Sequence, residues 1–157
     1  MLQPLALIFK LNNNLIARSL DGLSDEEMWR QLSGSGNPIA WILGHLTETR
    51  AGLLSEMGTS FDCGWSRTFQ RGSMLADRGG YPSRDVIQGA WHATHAAMRD
   101  AFSAVTPDRL SAPVARRPVP GVETLADLIA FCGFHESYHV GQIGFIRKQL
   151  GHSSIAG

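Results

Sequence analysis

The chain reads as an all-α protein, a four-helix bundle with long crossover connections and short extra helical turns. Three observations lead there. Helix-start signals recur ahead of long stretches with helical apolar spacing, and helix-stop glycines follow those stretches. Between them, no segment alternates apolar and polar residues as a half-buried strand would. The 157 residues suit a single domain, 1–157, with one sizeable core.

The first long helix, residues 3–20, opens apolar but has no cationic leader, and Lys10 and the Asn12–Asn14 run interrupt it. That pattern fits neither a signal peptide nor a membrane span. Ser24 with Glu27 makes a capping box for a short helix in SDEEMWRQL. Asn37 before Pro38 sets an N-cap ahead of a proline at the first helical position, for a helix over 38–57 stopped by Gly58. Ser83 caps the third long helix, 84–105, and Thr106–Pro107 starts a short turn. Thr124 with Asp127 opens the last helix, 124–150, which Gly151 closes. The two longer connections, GTSFDCGWSRTFQRGSMLADRGGY and SAPVARRPVPG, are crossovers or lids. Their Arg67, Arg71, Arg116 and Arg117 could meet an anionic substrate, although solvated arginines are the commoner case.

Fourteen basic and fourteen acidic residues cancel, so net charge argues for no nucleic-acid or membrane partner. Cys63 and Cys132 are too few for a disulfide framework and fit a reduced, cytoplasmic setting.

The chemistry concentrates in HESYH, residues 135–139. On the last helix, Leu125, Leu128, Cys132, His135, His139, Gln142 and Ile146 fall on one stripe at steps of three and four. One histidine on such a stripe is ordinarily a hydrogen-bonded core residue. Two stacked in its middle point to a metal, because burying unpaired imidazoles is costly. The spelling H-E-x-x-H is also that of zinc peptidases. That reading fails here: Gln142 and Phe145 stand where a metzincin has glycine and its third histidine, and no acidic residue follows Glu136. His152 alone could coordinate downstream, from a tail expected to be mobile. A third ligand therefore comes from upstream, among His45, His92 and His95. His45 faces inward with Ile42 and Thr49; His95, beside the Trp91–Thr94–Met98 stripe, is the runner-up.

Gly44-His45-Leu46 on the second long helix and His135-x-x-x-His139-x-Gly141-Gln142-Ile143 on the fourth resemble the DinB-like (YfiT-type) bundle family. The helix order and the long middle connection agree as well. The resemblance implies a metal triad of His45, His135 and His139 holding a divalent ion, zinc or nickel, in a homodimer. It also implies a thiol-dependent S-transferase or an isomerase acting on a small electrophile, with a low-molecular-weight thiol as cosubstrate.

Three neutral imidazoles leave coordination positions open, the pattern of a catalytic site. A thiol there would be deprotonated, and a water would become a hydroxide. Two alternatives to the transferase stay open: a metal-dependent hydrolase, and a non-catalytic metal-binding, stress-associated dimer. Glu136 is the catalytic candidate, a proton carrier beside the metal; its competing role is a helix-surface or interhelical carboxylate. Glu48, one turn after His45, is placed to orient an imidazole, and Gln142 to bond in the core or face substrate. Gly133, Gly141 and Gly144 are expected to let another helix approach.

Overall fold

The computed structural model describes residues 2–32, 36–70, 72–73 and 78–155. Its long helices are α1 (Gln3–Leu20), α3 (Ile39–Glu56), α4 (Arg84–Ala104) and α6 (Leu125–Gln149). Two single-turn helices, α2 (Asp25–Trp29) and α5 (Pro107–Ser111), and a 3₁₀ turn at Arg78–Gly80 fill the connections. The described residues form no strand, only an isolated bridge between Pro113 and Thr124.

The caps sit where side-chain chemistry requires them. Ser24 with Glu27, and Thr124 with Asp127, close reciprocal capping boxes at the heads of α2 and α6. Ser83 and Thr106 each accept a backbone N–H at the heads of α4 and α5. One start differs from expectation. Pro38 itself is the cap of α3, its ψ of 159° holding it outside the helix, so Asn37 lies one residue further out. The short helix in SDEEMWRQL also stops early, because Arg30 turns extended after Trp29.

Helix directions follow from the contacts. Asn12 bonds Ser137, and Arg147 reaches the carbonyls of Ser19 and Asp21, so α1 and α6 run parallel. Leu43 and Leu46 share one core cluster with Ile87, while Leu53 and Leu54 share the other with Met98, so α3 and α4 also run parallel. Against α6 the order inverts: Leu46 shares a cluster with Val140 and Ile143, and Leu53 with Leu125 and Leu128. Parallel neighbours cannot be joined by a tight turn, so the segment 57–83 must travel the bundle's length. Its Phe69 is fully buried, which ties this crossover into the core.

All four long helices meet at one side chain. Arg50 of α3 is 1% exposed and donates Nε to Glu136 Oε2 at 2.8 Å and Nη2 to Oε1 at 2.9 Å, bridging to α6. Its guanidinium carbon lies 3.6 Å from the centre of a Trp91 ring on α4 and 5.9 Å from that of Phe9 on α1. Arg50 Nη1 is buried without a hydrogen-bond partner among the described residues, so the indole face is what offsets its desolvation.

This arrangement corrects the expected buried stripe of α6 and gives Glu136 a structural partner. The deepest stripe of α6 runs through Cys132, Glu136, Val140, Ile143 and Arg147, while His135, His139, Gln142 and Ile146 flank it half-buried. The Glu136 carboxylate accepts from Arg50 with both oxygens, which makes it an interhelical contact, the role that stood as the alternative to proton transfer. Removing one partner of a buried pair costs about 3–5 kcal/mol. Glu136→Gln should therefore lower the melting temperature by roughly 10 °C for a domain of this size, with His-bound metal retained. Adding Arg50→Met should recover most of that loss, since the unpaired charge leaves with it. Unchanged melting of Glu136→Gln would show that the pair does not brace the bundle.

Candidate metal centre

Three imidazoles from two helices converge between α3 and α6. His45 Nε2 and His139 Nε2 each lie 3.2 Å from His135 Nε2. One ligating nitrogen from each residue can be chosen so that all lie within 4.8 Å of one another. His135 and His139 meet because one helical turn separates them; His45 joins because α3 crosses α6 at that level.

Each ring is held differently. His45 Nδ1 sits 2.8 Å from the Phe69 carbonyl oxygen, which can only accept, so the proton is on Nδ1 and the Nε2 lone pair faces the cluster. The Phe69 N–H donates to Glu48 Oε1 at 3.1 Å. Glu48 thus orients His45 through the Phe69 backbone and not by direct contact. A Cβ at Gly44 would come within 2.6 Å of the Phe69 ring, so glycine there is what lets the crossover lie on α3. Trp41 stacks on the other side of the His45 ring, 5.2 Å between centroids. His139 Nδ1 donates to Gln142 Oε1 at 2.7 Å, and the Gln142 amide nitrogen donates to the Tyr138 hydroxyl. His135 is set by packing: it stacks on Phe131 at 5.9 Å, and its buried Nδ1 has no hydrogen-bond partner among the described residues.

The proton count then favours a cation. His45 and His139 both aim lone pairs at His135 Nε2, which carries at most one proton while neutral. At least one of the 3.2 Å contacts is therefore lone pair against lone pair. A divalent ion bound at about 2.1 Å to each nitrogen removes that repulsion, and nitrogens bound so to one ion stand about this far apart.

Burial holds the cluster in the ligating form. It is the main cause that lowers His135 and His139 to about 4, with the neighbouring histidines adding to the effect in both, and it pushes His45 down as well. The thiols move the other way. Burial pushes Cys63 and Cys132 up to about 11, so neither offers a thiolate near neutral pH.

The remaining candidates fall elsewhere. His95, the runner-up ligand, lines a cavity of about 720 Å³ between α1 and α4 with Leu2, Phe9 and Phe102. His92 is exposed. His152 is held, contrary to expectation: its Nε2 lies 2.9 Å from Glu27 Oε1 on α2, fixing the tail. Gly133 seats Ile8 and Phe9 of α1 and Gly144 seats Ile155, but a Cβ at Gly141 would meet nothing within 4 Å. Arg117 pairs with Glu123, Arg67 bonds Gln70, and Arg71 lies outside the described residues.

With this geometry fixed, the comparisons with known proteins separate family from function. The sequence profile of the DinB superfamily matches residues 9–143. The chain belongs to the DinB superfamily. A conserved protein from Enterococcus faecalis has a crystal structure similar to this one, with a TM-score of 0.73 over 94% of this chain and 95% of that one. At 13% identity it shows the fold alone. No curated protein matches the chain.

Two features of this DinB-superfamily site escaped sequence reasoning: the Phe69 carbonyl and the Arg50 partner of Glu136. A backbone acceptor leaves no mark in a sequence. An arginine amid the apolar residues of α3 does, and was the missed signal.

The lowered histidines set a pH window. In metal-free protein the unfolded imidazoles take up protons near 6.5 but the folded ones only near 4, so stability falls as pH drops through that interval. Melting of the metal-stripped protein should decline between pH 6.5 and 5, and the slope should shrink in His135→Gln. A flat profile over that range would contradict the burial of these rings.

Proposed function

We propose that the protein is a divalent-metal enzyme of the thiol-dependent transferase or isomerase type, acting on a small electrophile. The observation that carries this is the convergence of three neutral Nε2 atoms with two of the outward Nδ1 protons already engaged. His45, His135 and His139 would hold the ion, and zinc or nickel suits three imidazoles. Such an ion supplies Lewis acidity, lowering the pKa of a thiol and polarising an electrophile beside it.

The protein's own residues would then position and shield. Gln142 and the Phe69 carbonyl keep two imidazoles facing the ion, a kind of support worth about 10–100-fold in metal affinity. Beside His139, a cleft of about 550 Å³ is lined by Ile42, Tyr138, Gln142, Phe145 and Ile146, large enough for a small molecule with an apolar part. Glu136 takes no part in proton transfer in this reading.

A homodimer in the cytoplasm completes the proposal. Phe134, Tyr138 and Phe145 on α6, and Leu7 and Leu11 on α1, are each more than half exposed, which supports a covered outer face. Both described cysteines are unpaired, and no described helix is long and apolar enough to cross a membrane. Sedimentation equilibrium should give about twice the 17.1 kDa chain mass, reverting to a monomer in Phe134→Glu. A monomeric wild type would remove the dimer from the proposal.

Metal analysis tests the centre itself. Each of His45→Ala, His135→Ala and His139→Ala should lose the ion that the wild type carries. Cobalt-loaded wild type should develop a sulfur-to-metal charge-transfer band on adding a low-molecular-weight thiol. Metal binding without any such band would favour the hydrolase or the non-catalytic binding role.

A further inference from the structure

One cation near the histidines has no assigned partner. Arg116, in the connection between α5 and α6, is half-buried, and its Nη1 donates to the Thr49 carbonyl at 3.3 Å. Its Nε and Nη2 make no hydrogen bond among the described residues, and no carboxylate pairs with it. The two arginines of the core are committed by contrast: Arg50 to Glu136, and Arg147 to the carbonyls of Ser19, Asp21 and Ser153.

Arg116 is also seated. A Cβ at Gly52 would lie 2.6 Å from its Nη1, so a glycine on α3 makes room for the guanidinium. Its backbone N–H donates to Glu56 Oε1 at 3.1 Å, which anchors the main chain and leaves the side chain free to engage something else. Thr49 follows His45 by four residues, a displacement of roughly 6 Å along the helix. Thr49 and Gly52 lie four and seven residues after His45, so the guanidinium rests on the same face of α3 that carries His45.

The local charge balance gives the position its meaning. The three imidazoles are neutral, so a bound divalent ion keeps its full charge. Glu136 is neutralised by Arg50, and Glu48, the acidic group beside His45, accepts from the Phe69 N–H. A half-buried guanidinium and a divalent ion together carry more positive charge than the Glu48 carboxylate offsets, which creates a demand for negative charge.

We propose that Arg116 is the anion-recognition residue of this site, selecting small substrates that carry a carboxylate about one helical turn from the atom that meets the metal. A carboxylate suits it because two parallel N–H donors of a guanidinium match two carboxylate oxygens. The proposal deepens the thiol-transferase reading and rests on it for the identity of the metal-binding atom.

Cobalt-loaded protein tests it with two thiols that differ in one group, 3-mercaptopropionate and 2-mercaptoethanol. The wild type should bind the acid roughly 10- to 100-fold more tightly, the range expected of a hydrogen bond to a charged group. Arg116→Met should lose that preference while keeping its affinity for 2-mercaptoethanol, its cobalt content and its melting temperature. Equal affinity of the wild type for both thiols, or a preference that survives in Arg116→Met, overturns the proposal and leaves the thiol reading standing. If neither thiol yields a charge-transfer band but glutarate shifts the cobalt d–d bands in the wild type and not in Arg116→Met, the anion site stands and the thiol reading falls. If none of these probes perturbs the metal, both fall.

Discussion

The bundle is organised around a charge that has nowhere else to go. Arg50 lies in the middle of α3, and once the helices close around it, water is excluded. Its guanidinium is then tolerable only with Glu136 on one side and the Trp91 face on another. A well-packed apolar pair can hold helices as firmly, but it tolerates neighbouring registers more readily. A bidentate ion pair accepts one. Glu136 adjoins His135 in sequence, and Arg50 follows His45 by five residues, so the register this pair selects is the one that brings the three imidazoles together. In HESYH the glutamate pairs with Arg50 while the histidines converge with His45.

The site itself is assembled from two kinds of support. The lone pairs aimed at the centre depend on where protons sit at the outward Nδ1 atoms. For His139 the acceptor is Gln142, three residues away on the same helix, and it comes at no cost in chain entropy beyond folding α6. For His45 the acceptor is a main-chain oxygen in the crossover, which must be carried across the bundle and pinned. Phe69 does this with a buried ring over Gly44 and a backbone N–H on Glu48. His135 has neither device and depends on Phe131 and its neighbours.

How much of this is legible in the sequence depends on the range of the interaction. Capping boxes at Ser24 and Thr124, the serine cap at Ser83 and the stop at Gly58 are encoded within a few residues, and the bounds of the four long helices follow within one residue. Two histidines one turn apart are local too, and the third needed only an inward-facing position on another helix. What the sequence does not display is angular detail on α6. Apolar spacing points to the stripe through His135 and His139 as the inward one, yet the deepest line runs through Glu136 and Arg147, two charged residues that any hydrophobic count assigns to the surface. Their burial depends on partners 86 and 128 residues away, the Arg50 guanidinium and the Ser19 carbonyl. The arginine within apolar α3 hints at one of these pairings, but no local pattern names its partner.

The Phe69 carbonyl has one more consequence. Because it dictates which nitrogen of His45 is protonated, any excursion of the crossover that breaks this bond releases the imidazole to the other tautomer, whose Nε2 carries a hydrogen and cannot ligate. An ion held by these histidines would be thermodynamically linked to crossover closure. By reciprocity, it would hold the strap down by the same free energy with which the strap tightens the ion. In such an arrangement, loss of the metal is felt first as loosening of residues far along the chain from any ligand.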